Sequence, residues 1–326
     1  MVVSVGARWL CDAALIGYSR VAVLEGTDES LRHTGKVLLS KRCRRFGPIV
    51  QQRAARRMDS IMQALPFATI AFILYVAAAI WQGMTLFRRV PPRQGMVRLL
   101  GALGLLLHIP VVVKLVGASP GLLPGFTTSA TLLMAVAVNV VLVASLFKPV
   151  LNAGIALFPL AGIALIVATW LPSQGSHSGL TPGILLHAVS SALAFAVLAI
   201  AAVQAVLVGL QNQALRHHHI RGIVQSLPPL TTMERVLFEL VWAGIVLLTL
   251  SIISGLIFLD NLFAQHLVHK TVLSLGAWVI FTTLLVGRYR FGWRGMRAVR
   301  WTLGGCALLL LAYFGSKFVL EILLNR

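Results

Sequence analysis

Three histidines, His108, His187 and His269, fall inside or at the ends of long apolar segments of this 326-residue chain. An imidazole in lipid is costly unless it finds a partner, so each is a candidate functional group. Two facing imidazoles at one depth are what an axially ligated haem requires. His187 is the favoured ligand: it sits five residues into an apolar run opened by Thr181-Pro182, a capping residue followed by a first-turn proline. Ser190 and Ser191, three and four residues on, share its helical face and are expected to orient the ring. His108 precedes Pro110, which frees a backbone carbonyl that the ring can use instead of a metal. His269 and the adjacent Lys270 open another span and suit either a solvated collar or contacts to an anionic ligand such as haem propionates. The triplet His217-His218-His219 lies in an arginine-bearing loop and reads as a solvated cluster or a weak metal site.

Other chemistry is scarce. Beyond residue 60 the acidic residues are Glu234, Glu239, Asp260 and Glu321, and no HExxH, Walker loop or GxSxG occurs. Glu234, beside Arg235, is expected to cap the helix it opens. Cys11, Cys43 and Cys306 have no CxxC spacing, which argues against a zinc site or a disulfide framework. Nothing here supports a hydrolase or an ion pump, and the chain is read as not an enzyme.

The elements that position these groups follow from composition. Hydrophobic residues make up 58% and charged residues 11% of the chain, a balance of membrane proteins rather than soluble domains. Apolar blocks at roughly 64–86, 97–116, 126–147, 150–171, 182–210, 234–259, 270–287 and 298–320 are each long enough to cross a bilayer. The expected fold is therefore an all-α, polytopic membrane helix bundle of about eight transmembrane helices.

Loop charge assigns the sides. Arg88, Arg89, Arg93 and Arg98 follow the first block, Arg216 and Arg221 the fifth, and Arg288, Arg290, Arg294 and Arg297 the seventh. The alternate connections, 117–124, 172–181 and 260–269, hold no Lys or Arg. The positive-inside rule makes the first set cytoplasmic, so both ends of the core face outward. The net charge of +19 is read as this topological signal and not as a nucleic-acid footprint. Residues 1–61 carry 11 of the 28 Lys and Arg and do not follow the topology; they are expected to be a disordered or mis-annotated extension, with translation starting at Met58 or Met62, and 62–326 to form the membrane domain.

The second half carries a recognisable order of runs: Leu185-Leu-His187-Ala-Val-Ser-Ser, Pro228-Pro-Leu-Thr-Thr-Met-Glu234-Arg235, His269-Lys270-Thr-Val-Leu-Ser-Leu-Gly-Ala-Trp278, Gly287-Arg-Tyr-Arg-Phe-Gly-Trp293-Arg294-Gly295 and Ala312-Tyr313-Phe314-Gly315-Ser316-Lys317. Over about residues 62–326 it resembles the YpjD-type inner-membrane proteins of the cytochrome c assembly (CcsA/HemX-like) superfamily. The resemblance implies a multi-pass protein of the bacterial inner membrane that binds or handles haem. It makes His187 and His108 the iron ligands, with His269 and Lys270 as an outer ligand or propionate contacts. Arg288 and its neighbours would attract propionates at the inner face. Haem, the lipid bilayer and cytochrome c maturation proteins are the expected partners. The tryptophan-rich external segment of the cytochrome c synthases is not found here, and Arg288 and Arg290 stand where many relatives carry a histidine; complete haem attachment is not expected. The alternatives are a non-haem accessory subunit or a divalent-cation transport-associated protein.

Overall fold

A computed structural model describes residues 62–87, 90–118, 125–171, 182–216, 226–258 and 268–315. Among them are eight helices long and apolar enough to cross a membrane. They are α1 (Met62–Leu86), α2 (Gln94–Ala118), α3 (Phe126–Ala144), α4 (Gly154–Trp170, entered through a 3₁₀ turn at Leu151–Ala153), α5 (Pro182–Arg216), α6 (Leu230–Phe258), α7 (Val268–Phe291) and α8 (Met296–Leu310, continued by a π turn at Leu311–Gly315). The compact body begins at Ala64.

Helices are the outcome because lipid offers no partner for a backbone N–H or C=O, and a helix satisfies both within one segment. Their outer surfaces are apolar for the same reason. On α2 the exposed residues include Leu99, Leu103, Leu106 and Val113, and on α7 Val272, Leu275, Val279 and Val286. Spacings of three and four put each set on one face, as a lipid-facing stripe requires.

Two larger buried clusters hold the bundle, beside a smaller one that joins α1, α2 and α4 through Ala68, Val111 and Leu165. One packs α5 to α8 through Leu198, Leu237, Val241, Phe281 and Leu284; the other packs α1 to α6 through Tyr75, Val138, Phe158, Ile200 and Val236. α5 contributes to both, and among the described residues it packs extensively against α6. With 35 residues α5 spans about 52 Å, against about 40–45 Å for a bilayer with its headgroups. The excess is why it continues past the apolar block ending near residue 210, as far as Arg216.

The inner ends of the helices are tied by polar contacts. Lys148 pairs with Glu239 at 2.7 Å, Arg98 donates to the Ser145 carbonyl at 2.6 Å, and Gln82 donates to Asn152 at 2.7 Å. Glu234 does not cap its own helix as expected. Its carboxylate reaches across to the α7–α8 turn, pairing with Arg294 Nε at 3.1 Å and accepting from the Gly295 N–H at 2.8 Å. The reason is geometric: Gly295 precedes α8 with φ of 58°, so its N–H turns away from the helix and needs an outside acceptor.

Candidate functional site

His187, in the second turn of α5, lies about 8 Å below the helix start by helical rise. Its Nδ1 is 2.8 Å from the Ser251 carbonyl on α6. A carbonyl only accepts, so the proton sits on Nδ1 and the Nε2 lone pair is left free. Among the described residues no hydrogen bond goes to that nitrogen. Room for the ring comes from Gly255: a Cβ there would stand 3.1 Å from Nδ1 and 3.2 Å from Cε1. Ser251 and Gly255 are one turn apart, a small-residue spacing that lets a neighbouring group approach a membrane helix closely.

The expected orienting serines do not perform that task. Ser190 Oγ donates to the Leu186 and His187 carbonyls and Ser191 Oγ to the Ala188 carbonyl. A helical serine hydroxyl bonds most easily to the carbonyl three or four residues back, and that local bond wins here.

His187 opens onto a cavity of about 180 Å³ between α5, α6, α7 and the outer end of α8. Its polar lining includes Ser191, Ser251, Lys270, Thr271, Ser274 and Tyr313, and its apolar lining reaches the lipid-facing Leu256 and Leu275. Lys270 Nζ lies over the Tyr313 ring, 5.0 Å from its centroid, a cation–π contact. Among the described residues the ion pairs use only Glu234 and Glu239, both at the opposite end of the bundle, so Lys270 has no carboxylate partner there. The π turn at Leu311–Gly315 carries Tyr313 to this wall, and Phe195 supports it at 5.5 Å between ring centroids. An apolar run around a histidine points to His187 but does not reveal Ser251, Gly255 or Phe195 as its neighbours; on α6 the Ser-x-x-x-Gly spacing is the trace that the sequence carries.

His108 belongs to a different environment. It is fully buried, with Nδ1 3.2 Å from the Tyr75 hydroxyl on α1 and Nε2 2.8 Å from Thr131 Oγ1 on α3. One ring nitrogen donates and the other accepts, and both hydroxyls can play either part. The imidazole thus ties three helices together with both nitrogens engaged, and it does not line the His187 cavity. The facing pair of imidazoles expected from the sequence is not the arrangement found. Depth and the family resemblance suggest the pairing, but the two residues sit in different helix groups.

The remaining expectations divide by position. Lys270 shares the His187 cavity. Arg288 stands 18 residues further along α7, about 27 Å away by helical rise, so it cannot serve the same ligand end. Its guanidinium lies 4.7 Å from the Phe238 ring centroid and donates to the Trp293 carbonyl at 3.4 Å, bracing the turn before α8. Trp278 packs between helices and donates to Thr249 Oγ1 at 2.9 Å. The His269 side chain, the His217–His219 triplet and the 1–61 segment lie outside the described residues.

Comparison with known proteins bears on this site. The profile of the family described as Cytochrome C assembly protein matches residues 120–324, which take in His187, His269, Lys270 and Arg288 but not His108. The inner membrane protein YpjD of Escherichia coli (strain K12) is 38% identical over 177 residues, covering 53% of this chain and 67% of the relative. An uncharacterized 28.8 kDa protein of Azospirillum brasilense is 35% identical over 151 residues, covering 45% of this chain and 56% of its own. No solved structure matches the chain.

Proposed function

The chain belongs to the cytochrome c assembly protein family, a multi-pass protein of the bacterial inner membrane, and from that premise we propose that it binds haem at its outer face with His187 as an axial ligand. The observation that carries the reading is the Nδ1 contact to the Ser251 carbonyl at 2.8 Å. Metal-ligating histidines characteristically donate their second ring N–H to a carbonyl or carboxylate, which fixes the tautomer and raises the basicity of the free nitrogen. Lys270, with no carboxylate partner among the described residues, supplies the cation that a propionate would need. Tyr313 and Phe195 offer flat apolar surface beside it.

The donor set fits haem; the enclosed volume sets how much of it is covered. A cavity of about 180 Å³ falls below the roughly 300–1,000 Å³ of pockets that enclose drug-sized ligands. The site would grip one edge of the macrocycle and leave the rest against the lipid-facing Leu256 and Leu275. That suits a protein that holds haem for transfer better than one that buries it permanently. Haem, when bound, supplies a redox-active iron, and the reactions of that iron are the cofactor's own. The protein's part is to orient one nitrogen, pair one carboxylate and exclude water from the inner side. His108 is assigned a structural task in this reading. The divalent-cation alternative has no group of three metal-ligating side chains to rest on among the described residues.

Absorption spectra of the full-length protein, purified in mild detergent from haem-replete membranes, test the proposal. A Soret band with sharp reduced bands is expected in the wild type, lost in His187→Ala and regained when imidazole is added to His187→Gly. Folded wild-type protein without a Soret band, or a His187→Ala variant with an unchanged spectrum, would overturn it.

A further inference from the structure

The inner end of the bundle carries a second cationic site that the haem reading does not use. Arg216 from the end of α5 and Arg294, Arg297 and Arg300 from the α7–α8 turn and the start of α8 line one hollow of about 730 Å³, together with Trp293 and Trp301. All four arginines are exposed. Loop arginines are ordinary at a cytoplasmic face, so their number alone decides nothing. Their convergence on one concavity, and the state of their counter-charges, decide more.

Only Glu234 and Glu239 form ion pairs among the described residues, and both are committed, Glu234 to Arg294 and Glu239 to Lys148. Arg216, Arg297 and Arg300 therefore converge without a carboxylate among the described residues. Arg297 is held 5.3 Å from the Trp293 ring centroid, and Trp293 and Trp301 pack at 5.4 Å. Asn212, on the last turns of α5, neighbours Gly295 and has a buried Nδ2 without an acceptor among the described residues. The described side chains that line the hollow thus bring cationic donors and no carboxylate.

Its position selects the occupant. The apolar block of α5 ends near residue 210 and Arg216 follows about 9 Å beyond it by helical rise, within reach of the headgroups, while Arg300 lies one turn into α8, where its stem can run along lipid. Tryptophans are favoured at the same level. Basic pockets between helices on the cytoplasmic side suit anionic headgroups, and a guanidinium fork matches phosphate oxygens. We propose that this hollow is a binding site for the headgroup of an anionic phospholipid, with Arg216, Arg297 and Arg300 as its phosphate ligands.

The test uses full-length protein reconstituted in phosphatidylcholine vesicles that contain a minor share of phosphatidylglycerol, with bound lipid measured by native mass spectrometry after release into detergent. Wild-type protein should retain phosphatidylglycerol in preference to phosphatidylcholine. Each of Arg216→Gln, Arg297→Gln and Arg300→Gln should weaken retention about fivefold, and Lys replacements should restore most of it. Arg294 is left in place because it anchors Glu234. Equal retention of the two lipids by wild type, or unchanged retention in the triple Gln variant, would overturn the proposal. So would displacement of phosphatidylglycerol by millimolar inorganic phosphate, which would identify the site as one for a soluble anion. A thermal midpoint measured on each variant separates lost binding from lost folding, and the Arg→Lys forms give the answer where a Gln form fails to fold.

Discussion

At the scale of single residues, the two histidines most alike in sequence context differ in their hydrogen bonding, and their neighbours say why. His187 spends one nitrogen on a backbone carbonyl and keeps the other, while His108 spends both on hydroxyls. Gly255 is the residue on which the first arrangement depends. Gly255→Ala would bring a methyl group to 3.1 Å from Nδ1, so the ring must shift by a few tenths of an ångström and loosen its bond to Ser251. Haem affinity should fall about 10-fold or more, in the range found for lost outer-shell contacts, while the thermal midpoint changes little; retention equal to wild type would break the link between Gly255 and the site. His108→Ala should behave in the reverse way. It leaves the Tyr75 and Thr131 hydroxyls unpaired at fully buried positions and opens a void, a cost of about 2–4 kcal/mol, read as a lowered unfolding midpoint in detergent. The sequence singled out both histidines because each interrupts an apolar run. It favours His187 on local grounds but does not supply the partners of either ring, which lie 23 to 64 residues away.

At the scale of elements, the apolar blocks locate all eight spans, because length in lipid is a physical requirement that composition expresses directly. Helix ends are less legible. α5 and α7 run on to Arg216 and Phe291, since a helix need not stop where the hydrocarbon does and polar residues are welcome at the interface. Glu234 was equally hard to read: position suggested a cap for α6, whereas its carboxylate closes the turn into α8. That link carries an ordering test. Glu234→Gln keeps an oxygen for the Gly295 N–H and loses the charge pair, whereas Glu234→Ala loses both. The unfolding midpoint should therefore fall in the order wild type, Gln, Ala, with a total cost of about 1–3 kcal/mol because the carboxylate is buried though Arg294 is not. Equal midpoints for Gln and Ala would mean that the N–H contact contributes nothing. Gly295→Ala tests the same turn from the backbone side. A φ of 58° with ψ of −134° is a region that side chains scarcely enter, so the substitution should cost about 1–3 kcal/mol.

At the scale of the whole molecule, charge and polarity are divided between two ends. Arg98, Lys148, Arg216, Arg235 and the arginines around the α7–α8 turn gather at one end, where Glu234 and Glu239 also lie. The described cations at the other are Lys114 and Lys270, the second of them inside the His187 cavity. The arginine-rich end is cytoplasmic by the positive-inside rule, so the His187 cavity opens at the outer end and the arginine hollow at the cytoplasmic end. Orientation is thus a premise of both proposals, and it can be checked without either ligand. With Cys11 and Cys43 replaced by serine, Cys306 remains buried against the Leu198 carbonyl and should not label. Leu146→Cys and Leu171→Cys add thiols at exposed positions on opposite ends, at the α3–α4 connection and at the end of α4. In intact spheroplasts a membrane-impermeant maleimide should modify the position-171 variant, and the position-146 variant only after lysis. The reverse pattern would turn the His187 cavity toward the cytoplasm. The arginine hollow would then have to find its anion in the outer leaflet.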